Sequence, residues 1–305
     1  MPFQSLQEIL EAVKKLPPAT LALASAAEAN ALNSVSQALR AGILQKAVLV
    51  GDQPEIERLG AQVGLDLSAC LIRHQPDGAQ AAKDAVALVR RGEAQILMKG
   101  LVHSADFLRA LLPRQTGLRL PGRLLSHVYV LQSAPLGRLV LVTDSAFSIA
   151  PDVEAKAAIA ANAALLARAL GIRRPKVAAV AALEVVNPRM PATLDAAELD
   201  RLGREGAFQG FDVQGPLGLD NAVSPAAADL KGVRGEVAGR ADILLMPDIE
   251  AGNILCKGFS FLGGGDLAGI LMGAQAPVVM TSRADTDRAK LHSLALAHWM
   301  AEYRE

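Results

Sequence analysis

Cysteine, surplus charge and long apolar runs are all scarce in this 305-residue chain, and each scarcity removes a class of protein. The two cysteines, Cys70 and Cys256, stand far apart, with no Cys-x-x-Cys pair and no neighbouring histidines that would suit zinc. Both read as buried thiols, and no metal site is expected. Lysine and arginine number 31 and are balanced by 31 acidic residues. Long-range attraction to polyanions is therefore missing, and nucleic acid and anionic membrane surfaces are poor partners. Any anion site has to be local. No run approaches the roughly 20 apolar residues that span a bilayer. Even the alanine-rich stretch Ala157 to Leu170 is short and contains Arg168. Met1 to Leu16 carries Glu8, Glu11, Lys14 and Lys15 among its apolar residues, so it reads as an amphipathic surface helix and not a secretory signal. The cytoplasm is the expected location. Also absent are a GxxxxGKS/T phosphate loop, a GxGxxG after a strand, a GxSxG elbow and an HExxH pair, which weakens ATP hydrolysis, a standard dinucleotide fold and serine hydrolase chemistry.

What is present is an alternation of short β-rich runs with long alanine- and leucine-rich helical runs, the pattern of an α/β protein with a parallel sheet. At this length two domains are the first expectation. Strands are expected at Thr20 to Ala24, Lys46 to Val50, Cys70 to Arg73 and Gln95 to Met98, with helices at Ala26 to Arg40, from Pro54, at Gly78 to Arg91 and at Ser104 to Leu112. Pro113, Gly117, Pro121 and Gly122 then break the rhythm and mark a domain crossing. Ser126 to Leu131 and Arg138 to Val142 flank a turn and predict an antiparallel hairpin. Helix Val153 to Leu170, strand Lys176 to Ala181, helix Leu194 to Glu205 and strand Ile243 to Met246 rebuild an α/β unit. Val278 to Met280 and the helix Thr286 to Glu302 suit either domain.

Ligands of open α/β sheets bind where strand C-termini meet helix N-termini, so the loops after strands are the candidates. Met98-Lys99-Gly100 followed by His103 and Ser104 combines an ammonium, a glycine and a hydroxyl placed to cap a helix. It suits phosphate, and equally an ordinary capped helix. In Val278 to Asp287 a buried strand empties into Thr281, Ser282, Arg283, Asp285 and Asp287. Arg283 could grip a phosphate bidentately while a carboxylate takes a proton, or the same residues could cap the last helix. Asp248, Glu250 and Asn253 open another helix after a strand, where they suit a divalent ion, an arginine, a ribose hydroxyl or a structural turn. Asp144, Glu184, Asn187, Asp220 and Asn221 are further loop candidates. Arg114, Arg119 and Arg123 surround the crossing.

Taken in order, these segments resemble the phosphate acetyltransferase and phosphate butyryltransferase family, nearest its butyryltransferase-like branch. The resemblance rests on Met98-Lys99-Gly100 with His103, Leu124 to Val128, Val142-Thr143-Asp144 leading to Pro151, Val186 to Met190, Gly215-Pro216-Leu217 with Leu219 to Ala222, Pro247 to Asn253, and Thr281-Ser282-Arg283. It implies a two-domain, three-layer αβα architecture like that of the isocitrate and isopropylmalate dehydrogenases, with the active site in the interdomain cleft. Residues 1–118 with 276–305 would form the first domain and 119–275 the second. The implied reaction moves a short acyl group, acetyl, propionyl or butyryl, reversibly between coenzyme A and inorganic phosphate. CoA is then a substrate, with no tightly bound cofactor, and a homodimer or larger homo-oligomer is expected. The resemblance places Ser282 and Arg283 in catalysis and Arg119 or Arg123 on phosphate. Lys99, His103, Ser104, Asp144, Glu250 and Asn253 join them as phosphate or CoA ligands. Acetyltransferase members carry the catalytic aspartate farther along the helix, where this chain has Arg288 and Ala289. Asp285 is the base expected here. Two other classes compete: a metal-dependent NAD(P)-linked decarboxylating dehydrogenase, with Asp248 and Glu250 on the ion, and a non-catalytic CoA- or phosphate-binding protein.

Overall fold

A computed structural model describes residues 1–282 and 284–303. The chain divides into two compact units, one made of Leu6–Arg123 and Ala268–Glu305, the other of Met1–Ser5 and Leu124–Leu267.

The first unit opens with α1 (Leu6–Val13), which buries Leu6, Ile9, Leu10 and Val13 at helical spacing, the apolar stripe expected near the N-terminus. Then come β1 (Ala19–Ala24), α2 (Ala29–Arg40), β2 (Leu44–Gly51), α3 (Gln53–Gln62), β3 (Cys70–His74), α4 (Gly78–Arg90), β4 (Ile96–Lys99) and α5 (Ser104–Leu111). Caps fix several of these boundaries. Asp52 accepts the Glu55 N–H at 3.1 Å ahead of α3, and Asp77 accepts the Gln80 N–H at 2.7 Å ahead of α4. All six residues of β1 are buried, as in a strand with parallel neighbours on both sides. The strand order is β3-β2-β1-β4, with Leu23 of β1 beside Leu49 of β2 and beside Met98 of β4.

The second unit contains β5 (Ser126–Ser133), β6 (Arg138–Thr143), α6 (Val153–Ala169), β7 (Lys176–Val180), α7 (Pro191–Arg204), β8 (Asp212–Leu217), α8 (Leu219–Val223), α9 (Pro225–Leu230), β9 (Ile243–Leu245) and α10 (Ile249–Lys257), which runs into a π-helical turn at Gly258–Leu262. The hairpin β5–β6 is antiparallel, as expected, and the order continues β6-β9-β7-β8 with parallel pairing. Residues 1–5 belong here, through Phe3 N–H to Leu170 O at 3.0 Å. β8 was not anticipated, because Gly215-Pro216 reads as a turn. The strand closes this end of the order, where proline's missing N–H costs no ladder bond, and its pairing with β7 shifts register between Ala178 and Val180.

The chain then returns to the first unit with β10 (Leu267–Met272), β11 (Val278–Val279) and α11 (Asp287–Glu302). β11 pairs antiparallel with β10 and parallel with β4, Val279 lying beside Met98. α11 packs against α1, α2, β4 and β11. β10, like β8, α8 and α9, is not among the elements expected from the sequence. Its fully buried stretch Leu-Ala-Gly-Ile-Leu-Met follows the glycine run Gly263 to Gly265, which drew attention to a turn. The units change over at 123/124 and 267/268, against crossings expected at 118/119 and 275/276. Gln275 N–H to Leu118 O at 2.8 Å, together with a bridge between Arg119 and Ala274, holds both flanking segments to the first unit. No helix among the described residues is long and apolar enough to cross a membrane.

Candidate active site

In the first unit the chain lays β1, β2 and β3 outward in one direction and then returns to place β4 on the other side of β1. Such a reversal leaves a crevice beyond the C-terminal ends of the two diverging strands, the usual ligand site of open α/β sheets. Here those ends are Ala24-Ser25 and Lys99-Gly100. They are locked together: Gly100 N–H donates to Ala24 O and Leu101 N–H to Ser25 O, both at 2.8 Å. A Cβ on residue 100 would stand 2.4 Å from Ser25 O, so only glycine permits this approach. Ser25 itself has φ of 51°, a left-handed conformation rare for serine. Lys99 is 8% exposed, and its Nζ donates to Gly100 O at 3.3 Å. Because β11 runs parallel to β4 on its far side, Met280-Thr281-Ser282 leaves the sheet at the same end as Lys99-Gly100.

The segment after β11 is a tight turn. Ser282 N–H donates to Asp285 Oδ2 at 2.8 Å, Asp285 N–H to Ser282 O at 3.1 Å, and Ala284 N–H to Ser282 Oγ at 3.3 Å. Asp285 is buried, Ser282 half-buried. Thr286 caps α11 by accepting the Ala289 N–H at 3.1 Å, and Asp287 accepts from Asn33 Nδ2 at 2.7 Å. Arg283, the arginine expected in catalysis, lies outside the described residues.

Beside these loops a pocket of about 330 Å³ is lined by Asp77, Gly78, Ala79, Leu101, Val102, His103 and Asp106. It opens onto the N-termini of α4 and α5, whose dipoles favour an anion, while the Asp77 and Asp106 carboxylates in its lining oppose one. Ser104 is the first residue inside α5 and does not cap it. The cap position belongs to His103, whose side chain makes no capping bond, and both are exposed. The helix starts one residue earlier than a serine cap requires, so the Ser104 hydroxyl is not at the cap position. Asp106 is paired with Arg109. Arg119 and Arg123 are neighbours in the same unit, Arg119 Nε donating to Arg123 O at 3.5 Å.

The second unit gathers Asp144, Glu250 and Asn253. Asp144 is the floor of its loop: one carboxylate oxygen accepts Ala146 N–H at 3.0 Å and Phe147 N–H at 2.9 Å, the other His127 N–H at 3.1 Å. Burial still raises its pKa above the usual aspartate value. Its oxygens thus hold the loop together through backbone N–H groups and the Ser148 side chain. Glu250 and Asn253 are exposed in the opening turns of α10, where Asn253 Nδ2 donates to Ser145 O at 3.2 Å. Asp248 accepts the Ala251 N–H at 2.8 Å, so the carboxylate weighed as an ion ligand is the cap of α10. Among the described residues, no three His, Cys, Asp or Glu side chains converge as a metal site would require. Cys256 is buried, while Cys70 is only half-buried and its thiol is pushed up to about 11 by burial.

Sequence reasoning missed Ser25, Gly78, His127 and Lys290. Ser25 and Gly78 gain meaning only from the strand order. His127 is fully buried, packed edge-on against Tyr129 at 4.4 Å, and burial pushes its pKa down to about 3. Lys290 is 2% exposed beneath the Ser282 turn, its Nζ donating to Asp285 O at 2.8 Å. A lysine within the apolar helix pattern is the only hint of it in the sequence.

Residues 77–298 match the model of the phosphate acetyl/butaryl transferase family. The chain is 44% identical over 298 residues to the phosphate butyryltransferase of Clostridium acetobutylicum, covering 98% of each. To the phosphate acetyltransferase of Rhizobium meliloti it is 38% identical over 296 residues, 97% of this chain and 93% of that one. Among solved structures, a branched-chain phosphotransacylase from Enterococcus faecalis matches with a TM-score of 0.82 at 32% identity, over 94% of this chain and 100% of that one.

Proposed function

Because the chain belongs to the phosphate acetyl/butyryltransferase family, whose reaction passes a short acyl group reversibly between CoA and phosphate, we propose that its chemistry centres on the C-terminal ends of β1, β4 and β11. The observation that carries this is the side-by-side exit of Lys99-Gly100 and Thr281-Ser282 at the point where the strand order reverses. Lys99, Arg283 and one of Arg119 and Arg123 are the groups for the phosphate oxygens, and a guanidinium suits their planar bidentate geometry. The pocket lined by His103, with Ser104 next to it in the chain, takes an anionic part of CoA. Glu250 and Asn253, exposed in the second unit, remain ligand candidates.

In the forward direction a carboxylate takes the CoA thiol proton, and Asp285 is the candidate. The thiolate attacks the acyl carbonyl, and negative charge gathers on the carbonyl oxygen of the tetrahedral intermediate, where Ser282 and Arg283 offer hydrogen bonds that strengthen as the charge forms. The C–O bond to phosphate then breaks, leaving thioester and inorganic phosphate. In reverse, phosphate is the nucleophile and CoA leaves as thiolate. Direct transfer is favoured because neither cysteine suits an acyl-enzyme: Cys256 is buried away from solvent and the Cys70 thiol resists ionisation. Likeness to the isocitrate and isopropylmalate dehydrogenases is part of the same reading, supported by the parallel, helix-connected strands of each unit. So is a homodimer, for which Ile254, Phe261 and Leu262, 60 to 91% exposed, provide an apolar face; light scattering that reports a monomer would remove it.

The deciding assay is thioester formation from CoA with acetyl, propionyl or butyryl phosphate in turn. Wild type should turn over at least one of them, and Arg283→Ala and Ser282→Ala should each lose about 100-fold or more in kcat. Wild type inactive with all three would sink the proposal. The ranking of the three also measures the acyl pocket, since each methylene is worth only about 1–3 kcal/mol.

A further inference from the structure

Lys290 has no obvious reason to be a lysine. It lies in the first turns of α11, is 2% exposed, and ranks among the largest fully buried side chains of the protein. Burying an ammonium costs several kcal/mol unless its protons are well received, and an apolar side chain of similar volume is often as stable or more so. The helix does not need it, because Lys290 N–H makes the ordinary bond to Thr286 O at 3.0 Å. What the side chain adds is a bond from Nζ to Asp285 O at 2.8 Å, forward of the helix and into the turn that carries Ser282.

That turn is a closed circuit. The Asp285 carboxylate accepts the Ser282 N–H and the Asp285 N–H reaches the Ser282 carbonyl, so whatever fixes residue 285 fixes residue 282. The anchor is itself rigid. α11 is buried on nearly every side, and Ser293 accepts the Gly269 N–H at 2.9 Å, tying the helix to β10. Lys290 thus connects a helix fixed in the core to a turn at the mouth of the site.

We infer that Lys290 is a positioning residue for the acyl-transfer reaction, holding the Ser282–Asp285 turn in its working geometry through the Asp285 carbonyl at a cost in stability. The inference rests on the functional reading above for its kinetic consequence and on the hydrogen bond alone for its structural one. Because a displacement of the order of an ångström in a catalytic group can cost roughly 100-fold, loss of the tether should appear chiefly in kcat.

Three proteins test it: wild type, Lys290→Met and Lys290→Arg. Lys290→Met should lower kcat by about tenfold or more while leaving KM for CoA within about twofold. Its urea midpoint should hold or rise, so that activity and stability move in opposite directions, which a merely structural lysine would not produce. Lys290→Arg, which retains a donor, should recover part of the lost kcat. Amide exchange read by mass spectrometry over the peptide containing residues 281–286 should be faster in Lys290→Met. Unchanged exchange and unchanged kcat in Lys290→Met would overturn the inference, as would a fall in activity that only tracks a fall in stability. An inactive wild type would instead defeat the functional reading, with the exchange measurement still deciding whether Lys290 holds the turn.

Discussion

At the scale of single residues, burial gives ordinary side chains unusual properties. His127 sits fully enclosed with its pKa near 3, against an ordinary value of 6.5, so the folded protein keeps it neutral where the unfolded chain would protonate it. A folded-state pKa depressed in this way stabilises the fold above the ordinary value, and the contribution drains away as pH falls toward 3. The expected slope approaches 1.4 kcal/mol per pH unit, so between pH 7 and pH 5 His127 alone should account for about 2 kcal/mol of lost stability. His127→Phe keeps a ring against Tyr129 but cannot bind a proton. Urea melts at the two pH values should therefore show a loss smaller by about that amount in the variant; equal losses in both proteins would contradict the assignment. Asp144 has the opposite sign, since its raised pKa favours the protonated form, and its contribution is common to both proteins. Sequence alone marked Lys99, because a strand ending in lysine and glycine is locally conspicuous. It could not mark Ser25, whose partner Leu101 is distant in the chain and becomes adjacent only when β1 and β4 pair.

At the scale of elements, α3, α4 and α6 were legible from the aspartate caps that open them, whereas the short α8 and α9 were not expected although Gly218 and Ser224 stand at their starts. Asp52, Asp77 and Asp152 each accept a backbone N–H at the start of a helix, and the expected boundaries of α3, α4 and α6 fall close to the observed ones. β8 and β10 were hidden by turn-like local signals, Gly215-Pro216 within β8 and the run Gly263 to Gly265 just before β10, which tertiary pairing overrides. The polar contacts of α11 were equally hidden, being side-chain bonds to distant backbone. One of them can be weighed directly. Ser293→Ala removes the acceptor of the buried Gly269 N–H and should cost about 1–3 kcal/mol. Alanine favours the helix more than serine, so far-ultraviolet circular dichroism should stay unchanged while the urea midpoint falls. No shift in the midpoint would mean that this N–H finds another acceptor.

At the scale of the whole molecule, the absence of net charge shapes how it meets its substrates. CoA and acyl phosphate are anions, yet 31 positive and 31 negative residues leave no overall field to draw them in. Capture then depends on groups within a few ångströms of the site, where screening is weak. Raising salt from roughly 0.05 to 0.3 M should lower kcat/KM for CoA by less than about threefold. A fall of tenfold or more would reveal a steering field that the balanced charges do not provide. The two-unit division was visible in the break around Pro113 to Gly122, whereas the return of the chain to the first unit was expected only through the family resemblance, at residue 276, and falls at residue 268. That return also bears on how the protein is made. Residues 124–267 are continuous and emerge from the ribosome as a finished stretch, but the first unit waits: β4 lacks its neighbour β11 until the whole second unit has been translated. For that interval β4 is an exposed sheet edge, open to pairing with other chains. A nascent chain stalled before Val278 would contain every strand of the reversal point and still lack Ser282, so one segment both seals the edge and delivers the serine.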